Sequence, residues 1–154
     1  MNGAVNGVAL SPETTGFAFL YYKTLSSVNL YRISTAIIQS AVMRTRFGGK
    51  LQSKYVRNMG ATPALSDGIA MGANGTLYYG QLGLNSVSTW NSESGALNEC
   101  NQVEVMRDTA LDWPAAIVLL NNANRIGLVL SNGQQKWPNG YDFCDINFRI
   151  YALP

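Results

Sequence analysis

A hairpin signal near the middle of the chain constrains the fold more than any other feature of the sequence. Asn74-Gly75 separates the apolar residues 68–71 from the apolar and aromatic residues 76–79, and Asn-Gly is among the strongest signals for a two-residue turn because both residues tolerate a positive φ. After residues 80–86, a third run covers residues 87–91. Frequent glycines disfavour a helix here. The segment is therefore predicted to form three consecutive antiparallel strands.

The same pattern occurs three times along the chain. Each unit opens with a related motif: Gly7-Val8-Ala9-Leu10, Gly68-Ile69-Ala70-Met71 and Ala116-Ile117-Val118-Leu119. Each second strand is also related: Leu20-Tyr21-Tyr22, Leu77-Tyr78-Tyr79 and Leu128-Val129-Leu130. Units of about 50 to 60 residues, each a meander of three or four strands, indicate the blades of a β-propeller. The predicted units cover residues 4–59, 66–108 and 112–154, and a Greek-key sandwich is the alternative architecture.

Other elements of the predicted units follow from local patterns. Residues 28–33 alternate between apolar and polar side chains, as a strand with one wet face does. Ser34-Thr35 is a cap signal for one short helix near residues 35–43, and residues 103–106 are predicted to be an outer strand. The expected fold is all-β, a partial β-propeller of about two and a half to three four-stranded antiparallel blades within a single domain.

Composition excludes several classes of function. The chain has no histidine, which removes the usual general base and the usual metal ligand. Eleven basic and nine acidic residues give a net charge of +2, which argues against nucleic acid or an anionic membrane as a partner. Cys100 and Cys144 lack zinc-binding spacing and either pair or remain two unrelated thiols. No metal, cofactor or catalytic residue is predicted.

Two groups of charged residues have both a functional and a structural interpretation. Arg44, Arg46, Lys50 and Lys54 surround Gly48-Gly49, and a solvated loop is preferred there over an anion site because no aromatic residue or helix N-terminus accompanies them. Asp67 and Asp112 precede the openings of two units, where they either face a channel or, as we prefer, bond nearby backbone amides as turn residues.

Aligned in this way, the chain resembles the yellow and major royal jelly protein family. The motifs that carry the resemblance occur in a consistent order: Gly7-Val8-Ala9-Leu10-Ser11-Pro12, Asp67-Gly68-Ile69-Ala70, Leu77-Tyr78-Tyr79-Gly80, Asn85-Ser86-Val87-Ser88-Thr89-Trp90-Asn91, Trp113-Pro114, Leu130-Ser131-Asn132 and Asn147-Phe148-Arg149-Ile150-Tyr151. The resemblance implies a six-bladed propeller of more than twice this length, of which the chain would be about the C-terminal half.

The resemblance also implies a secreted protein. Members of this family serve as nutritive or structural proteins, as pigmentation factors or as binders of aromatic biogenic amines. We expect a ligand-binding or storage protein, because no catalytic constellation can be chosen from so few charged residues. The alternative is a melanin-pathway enzyme that converts dopachrome-like substrates, and a third interpretation is a partial product without a function of its own.

Specific residues follow from these expectations. Ser131, Asn132, Asn147 and Phe148 resemble family positions near the central channel, where Phe148 would stack on a ring and the Ser and Asn oxygens would accept from an amine. Asn74-Gly75-Thr76 is a glycosylation sequon in a turn, so Asn74 is the predicted glycosylation site. Because an incomplete propeller exposes blade faces and strand edges, self-association is expected as well.

Overall fold

In a computed structural model, the described part of the chain contains eleven strands and three short helical segments whose bounds are given below. The structure describes residues 4–13, 16–46, 53–120, 127–133, 136, 140 and 144–153, apart from the side chains of residues 44 and 46. The strands are β1 Val5–Leu10, β2 Phe19–Thr24, β3 Asn29–Ser34, β4 Arg57–Ala61, β5 Ile69–Met71, β6 Thr76–Gln81, β7 Ser86–Asn91, β8 Gln102–Arg107, β9 Pro114–Leu119, β10 Gly127–Ser131 and β11 Arg149–Leu153. The helices are α1 Thr35–Gln39 and α2 Ala41–Arg46, and a 3-10 turn covers Ser53–Tyr55.

The strands form three antiparallel meanders. The first sheet has the order β1-β2-β3-β4, the second β5-β6-β7-β8, and the third β9-β10-β11. The prediction of an all-β chain with propeller-like units is therefore confirmed, and residues 102–107 form the outer strand expected near residues 103–106. Within the described residues, the third sheet has three strands rather than four.

The predicted helix near residues 35–43 is divided in two. Ser34 caps α1, since its side chain accepts a hydrogen bond from the backbone nitrogen of Ala36 at 3.3 Å. Ser40 has an extended backbone, with φ −64° and ψ 116°. Its Oγ accepts a hydrogen bond from the nitrogen of Met43 at 3.3 Å. A serine in this conformation ends one helix and begins the next because its side chain satisfies a free backbone N–H group of the first turn.

The central hairpin forms where the sequence predicts it. Gly75 has a φ of 76°, which its lack of a side chain permits, and its nitrogen donates to the oxygen of Gly72 at 3.0 Å. The turn joins β5 to β6, and Met71 pairs with Leu77 across it. β6 then pairs with β7 along its whole length, from Thr76 opposite Asn91 to Gln81 opposite Ser86.

One hydrophobic core lies between the first and second sheets. Tyr21, Tyr79 and Trp90 are its largest buried side chains, each no more than 1 % exposed. The other buried members are Ala9, Leu30, Met59, Ile69, Leu77 and Leu97. Successive side chains of a strand point to opposite faces of the sheet. Tyr21 of β2 and Tyr79 of β6 both point to the face that lies between the first and second sheets.

A second core joins the second and third sheets. Its buried members are Val87, Leu111, Ile117, Val129 and Leu153. Tyr78 and Tyr151 are partly buried against it. Because both faces of the second sheet are covered, that sheet is the middle layer of the described chain. No helix among the described residues has the length and apolar character needed to cross a membrane.

Candidate functional site

The first strands of the three sheets lie side by side and run in the same direction. β1 contacts β5, and β5 contacts β9. A Cβ atom on Gly7 would lie 2.6 Å from the oxygen of Asp67, and one on Gly68 would lie 2.8 Å from the oxygen of Ala115. The beginning of each strand is therefore next to the beginning of the following one. Their other ends must also meet, and this end forms the described cavity.

The cavity has a volume of about 600 Å³ and is formed mainly by the ends of β1, β5 and β9. It is lined by Leu10, Ser11, Pro12, Met71, Gly72, Ala73, Asn74, Tyr78, Leu119 and Leu120. This volume lies within the range of about 300 to 1,000 Å³ that small-molecule sites occupy. Leu10 and Leu120 form an open rim, since their side chains are 58 % and 40 % exposed.

Three side chains contribute polar atoms to this cavity. The Oγ of Ser11 donates to the oxygen of Pro12 at 3.0 Å and accepts from the nitrogen of Phe19 at 2.9 Å. The Oδ1 of Asn74 accepts from the nitrogen of Thr76 at 3.2 Å. Tyr78 supplies the aromatic ring of the lining. The cavity can therefore hold an apolar or aromatic group and offer hydrogen bonds at its edge.

At the opposite end of the same strands, Trp113 joins the second and third sheets, and this end is called the Trp113 end below. The indole nitrogen of Trp113 donates to Asp67 Oδ2 at 2.9 Å. The backbone nitrogen of Trp113 donates to Ser131 Oγ at 3.1 Å, and its oxygen accepts from the nitrogen of Asn132 at 3.2 Å. The Asp67 carboxylate thus holds Trp113 in place, and the interpretation of Asp67 as a turn residue stays a prediction.

A group of charged residues lies at the Trp113 end. Lys136 Nζ lies 2.9 Å from Asp145 Oδ2 and 3.4 Å from Asp112 Oδ2. Arg149 lies 3.9 Å from the other oxygen of Asp145. The hydrogen bond from Lys136 lowers the pKa of the Asp145 carboxyl and raises the pKa of Lys136 itself. Asp112 therefore contributes to an ion-pair group and not to the cavity.

The four predicted ligand residues come together at the Trp113 end. Ser131 is 2 % exposed, and it pairs with Pro114 and Arg149 at the ends of their strands. The Nδ2 of Asn147 donates to the oxygen of Asp145 at 3.2 Å, and Phe148 is 62 % exposed. Asn132 follows Ser131 directly. None of the four lines the cavity, and their role in binding stays a prediction.

Asn74, the predicted glycosylation site, lies at the cavity. It is exposed in the turn between β5 and β6. The basic segment of residues 44–54, for which a solvated loop is predicted, falls partly outside the described residues. In the part of the chain that the structure describes, no group of three or more His, Cys, Asp or Glu residues could hold a metal ion. Cys100 and Cys144 are both exposed.

Apart from Asn74, sequence reasoning did not select the residues that line the cavity, although the repeat contains the signal. Leu10, Met71 and Leu119 each occupy the fourth position of the aligned opening motifs. Residues at equivalent positions of a repeat reach equivalent places around the axis, so these three meet at one end. In the sequence alone, each has the pattern of an ordinary strand residue.

Comparison with known proteins identifies the family. A sequence model described as Major royal jelly protein matches residues 1–154. The chain belongs to the major royal jelly protein family. Major royal jelly protein 2 of Apis mellifera is 29 % identical, with 97 % of this chain and 34 % of that protein covered. Major royal jelly protein 8 of Apis mellifera is 32 % identical, with 97 % and 37 % covered. Protein yellow of Drosophila pseudoobscura pseudoobscura is 25 % identical, with 96 % and 26 % covered. This member of the family thus spans about a third of the length of its relatives.

Solved structures agree on the fold. A luciferin-regenerating enzyme superposes with a TM-score of 0.59 at 15 % identity, with 99 % of this chain and 45 % of that chain covered. A calcium-binding protein, regucalcin, from Agrobacterium tumefaciens superposes with a TM-score of 0.53 at 12 % identity, with 97 % and 45 % covered. At these identities the likeness shows the β-propeller fold alone.

Proposed function

We propose that this chain is part of a secreted propeller protein that binds a small aromatic ligand in the cavity at the ends of β1, β5 and β9. The single observation that carries the proposal is the cavity itself, whose volume of about 600 Å³ and mixed lining suit a small molecule. The names of the relatives, the major royal jelly proteins, support secretion.

The lining favours an aromatic or largely apolar ligand. Met71, Leu119 and the ring of Tyr78 supply apolar surface, and a thioether beside an aromatic ring adapts to ligands of different shape. An aromatic biogenic amine fits this chemistry because its ring would pack against the leucines, while its ammonium would lie over the face of Tyr78. The oxygens of Ser11 and Asn74 would accept hydrogen bonds from the amine.

Binding is favoured over conversion of a substrate by the same lining. A dopachrome-converting enzyme moves protons, and proton transfer is most efficient from groups whose pKa lies near the working pH. Among the ten described lining residues, Tyr78 alone carries an ionisable side chain, so these residues do not supply a separate general acid and general base. The melanin-pathway enzyme therefore remains the second candidate.

Calorimetric titration of the purified chain with serotonin and with dopamine tests the proposal. Tyr78→Leu removes the aromatic face, and we expect it to weaken binding by about tenfold, since a contact of this kind is worth roughly 1 to 2 kcal/mol. Tyr78→Phe keeps the face and is the matched control, for which we expect a change of less than about twofold. If neither serotonin nor dopamine gives binding heat, the proposal is contradicted.

Two further measurements separate the alternatives. Phe148→Ala leaves the cavity intact, so we expect unchanged affinity. If Phe148→Ala loses affinity and Tyr78→Leu does not, the ligand binds outside the cavity. The site would then be formed by Ser131, Asn132, Asn147 and Phe148. A spectroscopic assay of dopachrome decay with and without the chain tests the enzyme, because a binding protein leaves the uncatalysed rate unchanged.

A further inference from the structure

Positive and negative charges are segregated along the chain. Residues 14–66 contain seven basic residues and no acidic residue, whereas residues 67–154 contain four basic and eight acidic residues. The net charge of +2 for the whole chain therefore conceals a strongly basic first sheet and its connections. A partner at the surface interacts with this local charge more than with the total, because exposed charges are screened beyond about 8 Å at physiological salt.

The ion pairs follow the same division. Arg107, Lys136 and Arg149 are the described basic side chains of residues 67–154, and each of them forms an ion pair with a carboxylate. The described basic side chains of residues 14–66 are Lys23, Arg32, Lys54 and Arg57. None of these four forms an ion pair with a described carboxylate. The charge of the first sheet is therefore not neutralised within the described part of the chain.

Two of these cations lie directly opposite each other. Arg32 of β3 pairs with Arg57 at the beginning of β4. Paired residues of an antiparallel sheet project from the same face, with Cβ atoms about 4.5 to 5.5 Å apart, and like charges in such a pair destabilise the sheet. Arg57 is exposed and Arg32 is half-buried. An anion bound by both side chains would remove the repulsion between them.

Aromatic rings position these cations without neutralising them. The guanidinium group of Arg32 lies 4.3 Å from the ring centroid of Phe19 and donates to the hydroxyl of Tyr21 at 3.2 Å. The Nζ of Lys54, in the turn before β4, lies 5.0 Å from the ring centroid of Tyr55. A cation over a ring keeps its charge. Arginine has five N–H donors, and the described hydrogen bond of Arg32 uses only one of them.

Two opposed guanidinium groups favour a tetrahedral oxyanion. Each guanidinium presents its N–H groups as a planar fork that binds two oxygens at once. One such fork uses both oxygens of a carboxylate, whereas the free oxygens of a sulfate ester point in several directions and can accept from two arginines. Arg44, Arg46 and Lys50 add further positive charges between Arg32 and Lys54 in the sequence. A polymer with several anionic groups therefore suits this segment better than a single ion.

We propose that Arg32, Lys54 and Arg57 form the described part of a polyanion-binding surface, and that its occupant is a sulfated polysaccharide. Nucleic acid also presents tetrahedral oxyanions, but proteins bind its single strands with aromatic rings on which the bases stack. The rings of Phe19 and Tyr55 are already in contact with cations, and a sugar polymer needs no such ring. The surface is independent of the amine cavity and rests on the proposed function only for secretion, since sulfated polysaccharides are extracellular.

Calorimetric titration of the purified chain with a heparin oligosaccharide of defined length tests the inference. Arg57→Gln removes one charge from an exposed position of the outer strand β4, and we expect it to weaken binding by about fivefold. Arg107→Gln is the matched control, because it removes the same charge from the outer strand β8, where Glu104 already pairs with it. We expect a change of less than about twofold for this control. Equal losses in the two variants would show that only total charge matters and would overturn the inference.

The identity of the polymer is tested by comparison at equal charge. Poly-glutamate carries carboxylates and oligothymidylate carries phosphates, and both should bind more weakly than heparin. Equally tight binding of either polymer would overturn the choice of a sulfated polysaccharide. The dependence of heparin affinity on salt should also become shallower by about one ion in Arg57→Gln. Absence of heparin binding at low salt would overturn the polyanion surface itself.

Thermal unfolding without heparin separates binding from folding. Arg57→Gln removes the repulsion with Arg32, so we expect it to melt at the same temperature as the unmodified chain or above it. A lower melting temperature would show that Arg57 stabilises the sheet and would contradict its role as an anion ligand. Arg57 does not line the cavity, so failure of amine binding and failure of heparin binding can be distinguished.

Discussion

Tyr21 and Trp90 meet edge to face across the joint between the first and second sheets, with ring centroids 6.1 Å apart and ring planes at 67°. Each ring is 1 % exposed. Tyr21 comes from the middle of β2 and Trp90 from β7, so the pair joins strands nearly 70 positions apart in the chain. An edge-to-face pair contributes about 0.5 to 1.5 kcal/mol beyond the burial of its area.

Trp90→Ala is expected to lower the free energy of unfolding by about 3 to 5 kcal/mol, because it leaves a large cavity between the two sheets. Urea unfolding followed by circular dichroism measures the loss. Trp90→Phe is the control. It keeps a ring against Tyr21 and removes the indole N–H, which has no hydrogen-bond partner among the described residues, so it should cost less than about 2 kcal/mol. A loss below about 1 kcal/mol for Trp90→Ala would contradict the position of Trp90 in the core.

The close approach of neighbouring first strands gives a second prediction. A Cβ atom on Gly68 would lie within 3 Å of three backbone atoms of Ala115 and Ala116, and backbone cannot move away without disturbing β9. We expect Gly68→Ala to cost about 1 to 3 kcal/mol through overpacking. Gly127→Ala is the matched control, because the nearest atom there is the Cδ1 tip of Leu153 at 2.7 Å, which can rotate. Equal thermal stabilities of the two variants would show that the sheets are not joined at Gly68.

The strands could be predicted from the sequence because their signals are local. Alternation, aromatic residues and the Asn74-Gly75 turn each act within a few positions, and the structure confirms the meanders that they indicate. The split of the helix at Ser40 was not predicted, since the sequence does not show whether a serine in such a segment caps a second helix or continues the first. Its backbone conformation decides between these outcomes.

The cavity could not be predicted in the same way. Its lining comes from residues 10–12, 71–74, 78 and 119–120, which are brought together only when three sheets pack in a particular order. Leucine and methionine at these positions have the same local pattern as core residues. The burial of Lys23 was also missed, because lysine is almost never fully buried and nothing near it in the sequence indicates a partner.

Asn74 links the predicted modification to the proposed ligand site. Its Oδ1 accepts from Thr76, and none of the described hydrogen bonds involves its Nδ2, the atom to which a glycan is attached. We expect the chain to gain mass when a eukaryotic host secretes it, and a glycosidase to remove that mass. Thr76→Ala destroys the sequon but keeps Asn74, so it should show no gain.

The glycan should also weaken amine binding, because it would be attached at a lining residue of the cavity. Calorimetry on the glycosylated chain before and after glycosidase treatment measures the effect. An unmodified Asn74 in the secreted chain would contradict the first expectation, and equal affinities before and after treatment would contradict the second.

Lys23 predicts an unusual dependence of stability on pH. Its side chain is fully buried, and its Nζ donates to the oxygen of Val28 and to the Oγ1 of Thr62, both at 2.8 Å. No carboxylate of the described residues forms an ion pair with it. Burial lowers the pKa of Lys23 from 10.5 to about 8, because the charged form loses its hydration without gaining a counter-charge.

The sign of the effect follows from proton binding. Between pH 8 and pH 10.5 the unfolded chain holds this proton more strongly than the folded chain, so the free energy of unfolding should rise with pH by up to about 3 kcal/mol in total. Burial raises the pKa of Tyr79, which lowers stability above about pH 10, so the rise is measured between pH 8 and pH 10.

Lys23→Met should abolish this rise in the free energy of unfolding and should raise stability at pH 7 by about 1 kcal/mol or more. After the substitution, the oxygen of Val28 still accepts from the backbone nitrogen of Thr62, and Thr62 Oγ1 still donates to the oxygen of Ala64. Lys54→Met, at an exposed lysine, is the control and should retain the rise. A flat profile for the unmodified chain in urea titrations from pH 8 to pH 10 would show that Lys23 is charged at no cost in the folded state.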